Sequence, residues 1–352
     1  MNSRERVITA ISGKEPDRVP IYLWLTPHLI ERLEEEQGVK DYEEYLKMDI
    51  RFVDYKAQPE ENDFSAYTKD FHPLTAVDNW GCGTYPVGYY HFTKAQCPMK
   101  SFTTTKDIEH YPFPECWPMV AEMSMAVKDI QARNLLACSS YEMGTFEQGH
   151  ALMGMEELLR MMYINPEMVS LLFDRISDIK ARIAGAFVEA GVDILWIGDD
   201  IGVQHGPIMD PELWREFLIP PLKKIINAAR RVRSDIPIAY HTCGSIDWAI
   251  EGLIEAGIDI LQSVQPEAND CALLKEQFGD RISFWGGAGS QSTMSGGTAE
   301  DVKNEVFHLI KTVGRGGGYI CSPAHFLEPE TPLENIDAFM DAIEEFGYYN
   351  QY

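Results

Sequence analysis

The chain has 352 residues, of which 45% are hydrophobic and 24% are charged, as is typical of a globular protein with a large core. Its formal net charge of −25 would repel other polyanions, so we predict no binding to nucleic acid or to an anionic membrane. The N-terminus has no apolar signal segment, no apolar run is long enough to span a bilayer, and the seven cysteines lack disulfide-like spacing; we therefore expect a cytoplasmic protein.

Predicted strands and helices alternate along most of the chain. In the first half, residues 18–25 and 135–140 are predicted strands, and Asn165-Pro166 is a start signal for a long helix. Further helix starts are indicated by Asp210-Pro211 and by capping boxes at residues 298–301 and 331–334. The second half contains five predicted strands, at residues 193–200, 237–243, 258–264, 282–287 and 318–321.

This alternation predicts an α/β fold with parallel strands covered by helices. Neither a G-x-G-x-x-G nor a Walker motif is present, so a closed (β/α)8 TIM barrel fits better than an open nucleotide-binding sheet. Residues from about 63 to 118 interrupt the pattern and are rich in aromatic residues, proline, glycine and histidine. We predict one domain over residues 1–352, with this segment as an irregular insertion that caps the barrel mouth.

A candidate metal site lies at the ends of two predicted strands. Residues i and i+2 of a strand point to the same side, so His241 and Cys243 can face one ion, and Cys321 closes a later strand. Two thiolates and an imidazole favour zinc, with a fourth position open as in catalytic sites. Gln265 or Glu267 is a candidate fourth ligand. The alternative is that all of these are ordinary core residues.

Other polar side chains also follow predicted strands, where a barrel places its active site. Asp199 and Asp200 end the strand before the ligand strand, and His325 follows the last strand. We predict catalytic roles for these three, with an acid orienting a ligand and His325 donating a hydrogen bond or a proton. The alternative is that one acid caps a turn, the other faces solvent and His325 is a surface residue. The predicted substrate-binding residues are Glu142, Glu147, His205 and Gln265.

Several motifs together resemble the uroporphyrinogen decarboxylase superfamily, and the likeness runs nearly end to end. This resemblance implies a (β/α)8 barrel with its site at the carboxyl ends of the strands. It also implies one of two chemistries, a metal-free decarboxylase of tetrapyrroles or a zinc-dependent methyltransferase working with corrinoid proteins or coenzyme M. The motifs are Arg4-Glu5-Arg6-Val7, Glu15-Pro16-Asp17-Arg18-Val19-Pro20, His241-Thr242-Cys243-Gly244, Phe284-Trp285-Gly286-Gly287 and Thr331-Pro332-Leu333-Glu334-Asn335.

The methyltransferase branch agrees better with the residues present. The decarboxylase branch carries arginines after its first strand, whereas this chain has Leu25-Thr26-Pro27-His28 there. His241, Cys243 and Cys321 are similar to the His-x-Cys…Cys zinc motif of the methyltransferases. The resemblance therefore implies zinc, a corrinoid protein as partner and a small methylated substrate, with O-demethylation favoured by the aromatic insertion. The alternatives are a uroporphyrinogen-type decarboxylase, a methylcobamide:thiol methyltransferase, and a metal- or corrinoid-binding protein without activity.

Overall fold

Eight parallel extended segments form a ring at the centre of the protein, which is described by a computed structural model for residues 1–90 and 92–349. Residue 91, inside the predicted insertion, and residues 350–352 lie outside the described residues. In ring order the segments are the extended stretch 19–25, β1 (Ile50–Val53), β5 (Leu136–Ser139), β7 (Leu195–Gly198), β10 (Ile238–Thr242), β11 (Ile260–Ser263), β12 (Ser283–Ala288) and β13 (Tyr319–Pro323).

Hydrogen bonds link neighbouring segments around this ring. β7, β10, β11, β12 and β13 form one continuous parallel ladder, and β1 pairs with β5. A single parallel bridge between Cys138 and Ile194 joins β5 to the β7 side. The stretch 19–25 closes the ring. On one side Ile21 forms a parallel β-bridge with Cys321. On the other side the Ile21 carbonyl accepts a hydrogen bond from the Asp49 amide at 3.1 Å. The predicted α/β barrel is confirmed.

Helices surround this ring, and none of those in the described residues is both long and apolar enough to cross a lipid bilayer. The helices are α1 (Ser3–Ile11), α2 (Pro27–Gln37), α3 (Tyr42–Tyr45), α4 (Thr105–Glu109), α5 (Val120–Ala132), α6 (Thr145–Met153), α7 (Met155–Ile164), α8 (Pro166–Ala190), α9 (Pro211–Phe217), α10 (Ile219–Val232), α11 (Ile250–Ala256), α12 (Cys271–Phe278), α13 (Ala299–Thr312) and α14 (Leu333–Phe346), with a π-helix at Ser290–Met294.

Most of the predicted helix starts are present. Asn165 caps the 25-residue helix α8 by accepting the Met168 amide, and Thr298 forms a capping box at α13. The capping box predicted at 331–334 is wrong. Helix α14 begins after Pro332 without a side-chain cap, and Thr331 instead hydrogen-bonds Ser295 at 3.2 Å.

The predicted insertion contains a small antiparallel sheet of β2 (Ala76–Val77), β3 (Gly83–Pro86) and β4 (Thr93–Gln96), together with α4. Its base is a two-stranded clasp, because the Gln58 amide donates to Trp117 and the Met119 amide donates to Lys56, at 2.9 and 2.8 Å. The segment also packs on the barrel helices, with the Met99 amide bonded to the carbonyl of Leu152 at 2.8 Å. Its role as a cap stays a prediction. The remaining short strands are β6 (Glu142–Met143), beside β7, and the hairpin β8 (Gly202–Val203) and β9 (Gly206–Pro207).

One buried carboxylate ties the N-terminal stretch to β1. Asp49 is fully buried and forms ion pairs with Arg6 at 2.7 Å and Arg18 at 3.1 Å. It also accepts the Ile21 amide at 2.9 Å, next to the point where the ring closes. Both arginine side chains are mostly buried, and Asp49 is the counter-charge that they share.

We expect Asp49→Asn to lower the free energy of unfolding by about 3 kcal/mol, because two largely buried cations lose their shared counter-charge. Urea denaturation followed by circular dichroism measures this loss. The matched control is Asp17→Asn, since Asp17 also pairs with Arg6 at 2.8 Å but is about one-third exposed. We expect the control to lose about 1 kcal/mol or less. Equal losses in the two variants would contradict a special role for Asp49.

Candidate metal centre

Three potential metal ligands converge at the carboxyl ends of the barrel strands. His241 and Cys243 lie at the end of β10, and His325 lies just after β13. One donor atom of each residue lies within 4.8 Å of the others, and all three side chains are partly buried. Within residues 1–90 and 92–349 this is the one such group of three. Two imidazoles and a thiol form a donor set suited to a borderline-soft divalent ion.

A hydrogen bond from the next strand orients His241. The side-chain oxygen of Gln262, on β11, lies against His241 Nδ1. With Nδ1–H donating to this oxygen, the lone pair of the ring is on Nε2. Nε2 lies 3.5 Å from Cys243 Sγ and 3.5 Å from Asp200 Oδ1, so it faces the ligand cluster. Metal-binding histidines usually have such a support, and Gln262 was not predicted from the sequence.

The loop that carries Cys243 is held from both neighbouring strands. The Cys243 amide donates to Asp200 Oδ1 at 2.8 Å, and the Gly244 amide donates to Gln265 Oε1 at 2.6 Å. Gly244 has φ +80°, and a Cβ there would lie 2.6 Å from the backbone of Gly202. This turn therefore requires glycine. Asp200 and Gln265, predicted as catalytic and substrate-binding residues, lie here as supports of the ligand loop.

Gln265 and Glu267, the candidate fourth ligands predicted from sequence, are both engaged in other hydrogen bonds. Gln265 is buried, and its side-chain oxygen accepts the Gly244 amide. Glu267 Oε1 accepts the Ser292 amide and hydroxyl at 3.1 and 2.8 Å, at the start of the π-helix. Glu267 does not belong to the convergent group among the described residues. Asp200 Oδ1, in contrast, already lies 3.5 Å from His241 Nε2.

Cys321 does not lie in this cluster. Residues paired across parallel strands point to the same side of the sheet. Trp285, which pairs with Ile320, packs among aromatic rings inside the barrel, so Cys321 points outward. Its thiol is fully buried and interacts with Tyr319 and Glu305, towards the helix layer. The third potential ligand beside His241 and Cys243 is thus His325, whereas Cys321 was predicted from the sequence.

The second acid of the pair serves a helix rather than the cluster. Asp199 is buried, and its carboxylate accepts the Glu147 amide at 2.8 Å in the first turn of α6. A Cβ on Gly144, the residue before this helix, would overlap the same carboxylate. Glu147 in turn accepts a hydrogen bond from Tyr141, whose ring lies 5.2 Å from the His241 ring. Asp199 therefore positions the helix that brings Glu147 next to the metal centre.

Two predicted substrate-binding residues lie elsewhere. Glu142 pairs with the buried Lys180 at 3.1 Å, and Lys180 also lies over the ring of Trp80 at 5.3 Å. His205 is exposed at the tip of the hairpin formed by β8 and β9. Neither side chain belongs to the convergent group in the described part of the chain.

Burial controls the protonation of the three potential ligands. It lowers the pKa of His241 and of His325, so both rings are neutral, as metal binding requires. It raises the pKa of Cys243, and the carboxylate of Asp200 adds to this effect. The thiol must therefore release its proton when an ion binds.

An aromatic cluster lies inside the barrel below these residues. The rings of Trp24, Trp196 and Trp285 have centroids 4.7 to 5.9 Å apart, and Tyr22 and Phe52 pack against them. Trp196 also makes an edge contact with His241 at 6.1 Å. These residues were not selected as site residues from sequence, where they lie within apolar runs. The alternation of the strands was the signal that could have grouped them.

Known proteins resemble this chain in sequence and in fold. Residues 117–346, more than half of the chain, match the family described as Uroporphyrinogen decarboxylase (URO-D). The methylcobamide:CoM methyltransferase MtaA of Methanosarcina barkeri is 30% identical over 179 residues, which are 50% of this chain and 49% of MtaA. A uroporphyrinogen decarboxylase of Coxiella burnetii is 23% identical over 193 residues, 54% of this chain and 51% of that enzyme. The matched region thus spans about half the length of these curated relatives.

Among solved structures, a methyltransferase from Methanosarcina mazei superimposes with a TM-score of 0.73. The superposition covers 98% of this chain and 99% of the other chain at 18% sequence identity. At this identity the likeness shows a shared fold.

Glu147 makes protein stability depend on pH. Burial raises the pKa of Glu147 to about 7, and repulsion from Asp200 adds to this, although the hydrogen bond from Tyr141 and the charge of Lys180 oppose it. The native protein therefore keeps a proton that the unfolded chain releases near pH 4.5. Stability from this group is present at low pH and is lost as the pH rises to about 7.

Glu147→Gln cannot ionise. We therefore expect its free energy of unfolding to rise by about 2 kcal/mol relative to that of wild type as the pH increases from 4.5 to about 7. Urea denaturation at a series of pH values measures the difference. Glu189→Gln, at an exposed position of α8, is the control. Its free energy of unfolding should change with pH in the same way as that of wild type. A Glu147→Gln curve parallel to wild type would show that Glu147 does not hold the proton.

Proposed function

The chain belongs to the uroporphyrinogen decarboxylase family, and we propose that within it this protein is a zinc-dependent methyltransferase. It moves a methyl group between a small methylated substrate and the cobalt of a corrinoid protein. The 30% identity to MtaA over half of the chain supports the reaction class.

The observation that carries this proposal is the convergence of His241, Cys243 and His325. Gln262 fixes the ring of His241 so that Nε2 faces the other donors, and Asp200 holds the Cys243 amide. Three protein ligands with N and S donors leave a further position for a substrate atom, which is the arrangement of a catalytic zinc site. A structural zinc site would have four protein ligands.

The side chains near the cluster argue against a tetrapyrrole decarboxylase. Its substrate carries several carboxylates, whereas this edge of the barrel presents the acids Asp199, Asp200 and Glu147 in place of unpaired cations. The nearby cation Lys180 is already paired with Glu142. At the place where the decarboxylases carry arginines, Thr26 and Pro27 begin helix α2.

The protein's own residues supply orientation and a proton. A bound zinc ion acts as a Lewis acid towards the heteroatom of the substrate. His241, Cys243 and His325 would hold the ion, so His325 becomes a ligand in this proposal rather than a proton donor. Glu147 holds a proton near neutral pH beside Tyr141, and this pair supplies it to the oxygen atom that loses its methyl group.

We infer demethylation of an aromatic methyl ether, because an aromatic cluster borders the proposed zinc site. In this direction the methyl group would pass to the Co(I) of the corrinoid, which would supply the electron pair of the new bond, while the carbon–oxygen bond breaks and the oxygen receives the proton. The second candidate is a methylcobamide:thiol methyltransferase, which the similarity to MtaA favours. The corrinoid protein would bind at the barrel mouth.

Metal content tests the ligand set. We expect about one zinc ion per chain by inductively coupled plasma mass spectrometry after growth with zinc. His241→Ala, Cys243→Ala and His325→Ala should each retain less than about one-tenth of the metal. Cys321→Ala is the matched control, since it removes a buried cysteine outside the cluster, and it should retain the metal.

Loss of zinc in Cys321→Ala with retention in His325→Ala would reverse this assignment. A folded wild-type protein without metal would contradict the zinc-dependent mechanism altogether.

Methyl transfer tests the reaction itself. We expect methyl-cobalt, detected by its visible absorption spectrum, when the zinc-loaded protein is incubated anaerobically with cob(I)alamin and ortho-methoxyphenol. Cys243→Ala should lower the rate by about 100-fold or more, as expected when a metal site is disrupted. Cys321→Ala should stay within about twofold of wild type.

Methylation of coenzyme M by methylcob(III)alamin, without demethylation of any ether, would support the second candidate. Decarboxylation of uroporphyrinogen would overturn the proposal, and zinc binding without any methyl transfer would indicate a binding protein.

A further inference from the structure

Two free cysteines flank the strands β3 and β4 in the small sheet of the insertion. In this antiparallel ladder Gly83 pairs with Gln96, so one residue further along the ladder Cys82 lies opposite Cys97. The Cys82 carbonyl also accepts the Asp78 amide from the β2 side at 2.9 Å, so Cys82 still belongs to the sheet. The fold therefore brings together two thiols that are separated in sequence by a whole hairpin.

The backbone separation at this position suits a disulfide. The Val87 amide donates to the Phe92 carbonyl at 3.3 Å, and hydrogen-bonded and non-hydrogen-bonded pairs alternate along an antiparallel ladder. Cys82 and Cys97 thus occupy a non-hydrogen-bonded pair, where the Cα atoms are about 4.5 Å apart. Disulfides need a Cα–Cα distance of about 4.4–6.8 Å. The two cysteines can therefore be joined without moving the strands.

Both thiols point to the same side of the sheet. Cys82 Sγ lies 3.9 Å from Nε2 of Gln148, and Cys97 Sγ lies 3.8 Å from the carbonyl of His150. Both partners belong to helix α6, so one face of the sheet carries the two sulfur atoms. Burial raises the pKa of Cys82, and the neighbouring Asp78 and Cys97 add to this effect, which agrees with thiols that are close together.

The two cysteines differ in access. Cys97 is partly exposed, whereas Cys82 is 8% exposed. A reagent from solution therefore meets Cys97 first, and Cys82 is placed to react second. Neither thiol belongs to a group of three potential metal ligands in the described part of the chain, which favours oxidation over metal binding.

We propose that Cys82 and Cys97 are a redox pair, which a small organic disulfide converts to an intrachain disulfide that joins β3 to β4. Cys97 loses its proton and attacks one sulfur atom of the reagent, whose sulfur–sulfur bond breaks to release one small thiol. Cys82 then loses its proton and attacks Cys97 Sγ, and the second small thiol leaves. The two cysteines are oxidised, and one molecule of the reagent is reduced to two thiols. This inference does not depend on the proposed function.

Mass spectrometry tests the pair directly. The full-length protein is incubated with 2-hydroxyethyl disulfide at mildly alkaline pH, because burial raises the pKa of both thiols and only the thiolate reacts. Free thiols are then alkylated and the peptides are mapped. We expect a Cys82–Cys97 cross-link, lighter than the dithiol by two hydrogen atoms, to exceed the mixed disulfide at Cys97 by at least about tenfold, since a neighbouring thiol has a high effective concentration.

Substitutions separate the roles of the two cysteines. In Cys82→Ser the resolving thiol is missing, so the mixed disulfide at Cys97 should persist. Cys116→Ser is the matched control, because it removes another buried cysteine of the insertion, and it should form the cross-link as wild type does. A lasting mixed disulfide in wild type, a cross-link to any other cysteine, or complete resistance of both thiols would overturn the inference.

Hydrogen exchange measures what the cross-link does to the sheet. The β3–β4 ladder has four residue pairs, and a covalent link at its end restricts its opening. We expect the amides of Tyr85 and Lys94 to exchange about tenfold more slowly after oxidation, and the amide of Tyr240 on β10 to be unaffected. Oxidised Cys82→Ser should exchange as the reduced wild type does. Unchanged exchange at Tyr85 and Lys94 in the cross-linked protein would show that the disulfide does not join the strands of the ladder.

Discussion

The barrel depends on the buried carboxylate of Asp49. By neutralising Arg6 and Arg18 and accepting the Ile21 amide, it fixes the N-terminal stretch between β1 and β13. That stretch has no ladder of its own and joins its neighbours only through isolated bridges and single hydrogen bonds. The same stretch carries Trp24 into the barrel, where it stacks on Trp196 beside the metal centre. The ion pairs of Asp49 therefore support both the closed ring and the position of Trp24 beside the candidate site.

The sequence predicted the parts of the site that depend on local geometry. His241 and Cys243 face the same way because two residues of a strand separated by one residue share a side, whatever the rest of the fold does. The direction of the Cys321 side chain does not follow from local geometry. It depends on the register of β13 against β12, in which Ile320 pairs with Trp285. No local pattern encodes this register. His325 was identified from its place after the last strand, but its distance to His241 depends on the closed ring.

Asp200 and Gln265 were selected from sequence, but Gln262 and the contacts that support the ligand loop were not. Gln262 and Gln265 lie on or after β11, and both reach back to β10 and the turn that follows it. Asp200 reaches the same turn from the β7 side. Each contact joins strands that are neighbours in space but about 20 or 40 residues apart in the chain. The ligand loop is thus held from both sides, which limits the movement of Cys243 relative to His241.

The clasp at the base of the insertion separates this segment from the barrel. The chain leaves and re-enters the barrel through adjacent backbone hydrogen bonds, from Gln58 to Trp117 and from Met119 to Lys56. A segment whose ends already meet can change in length and composition at little cost to the remainder of the fold. The candidate metal ligands all come from the end of β10 and from the chain after β13, and they follow this junction in sequence. The insertion can therefore vary in sequence without disturbing β10 and β13, the strands that position the candidate ligands.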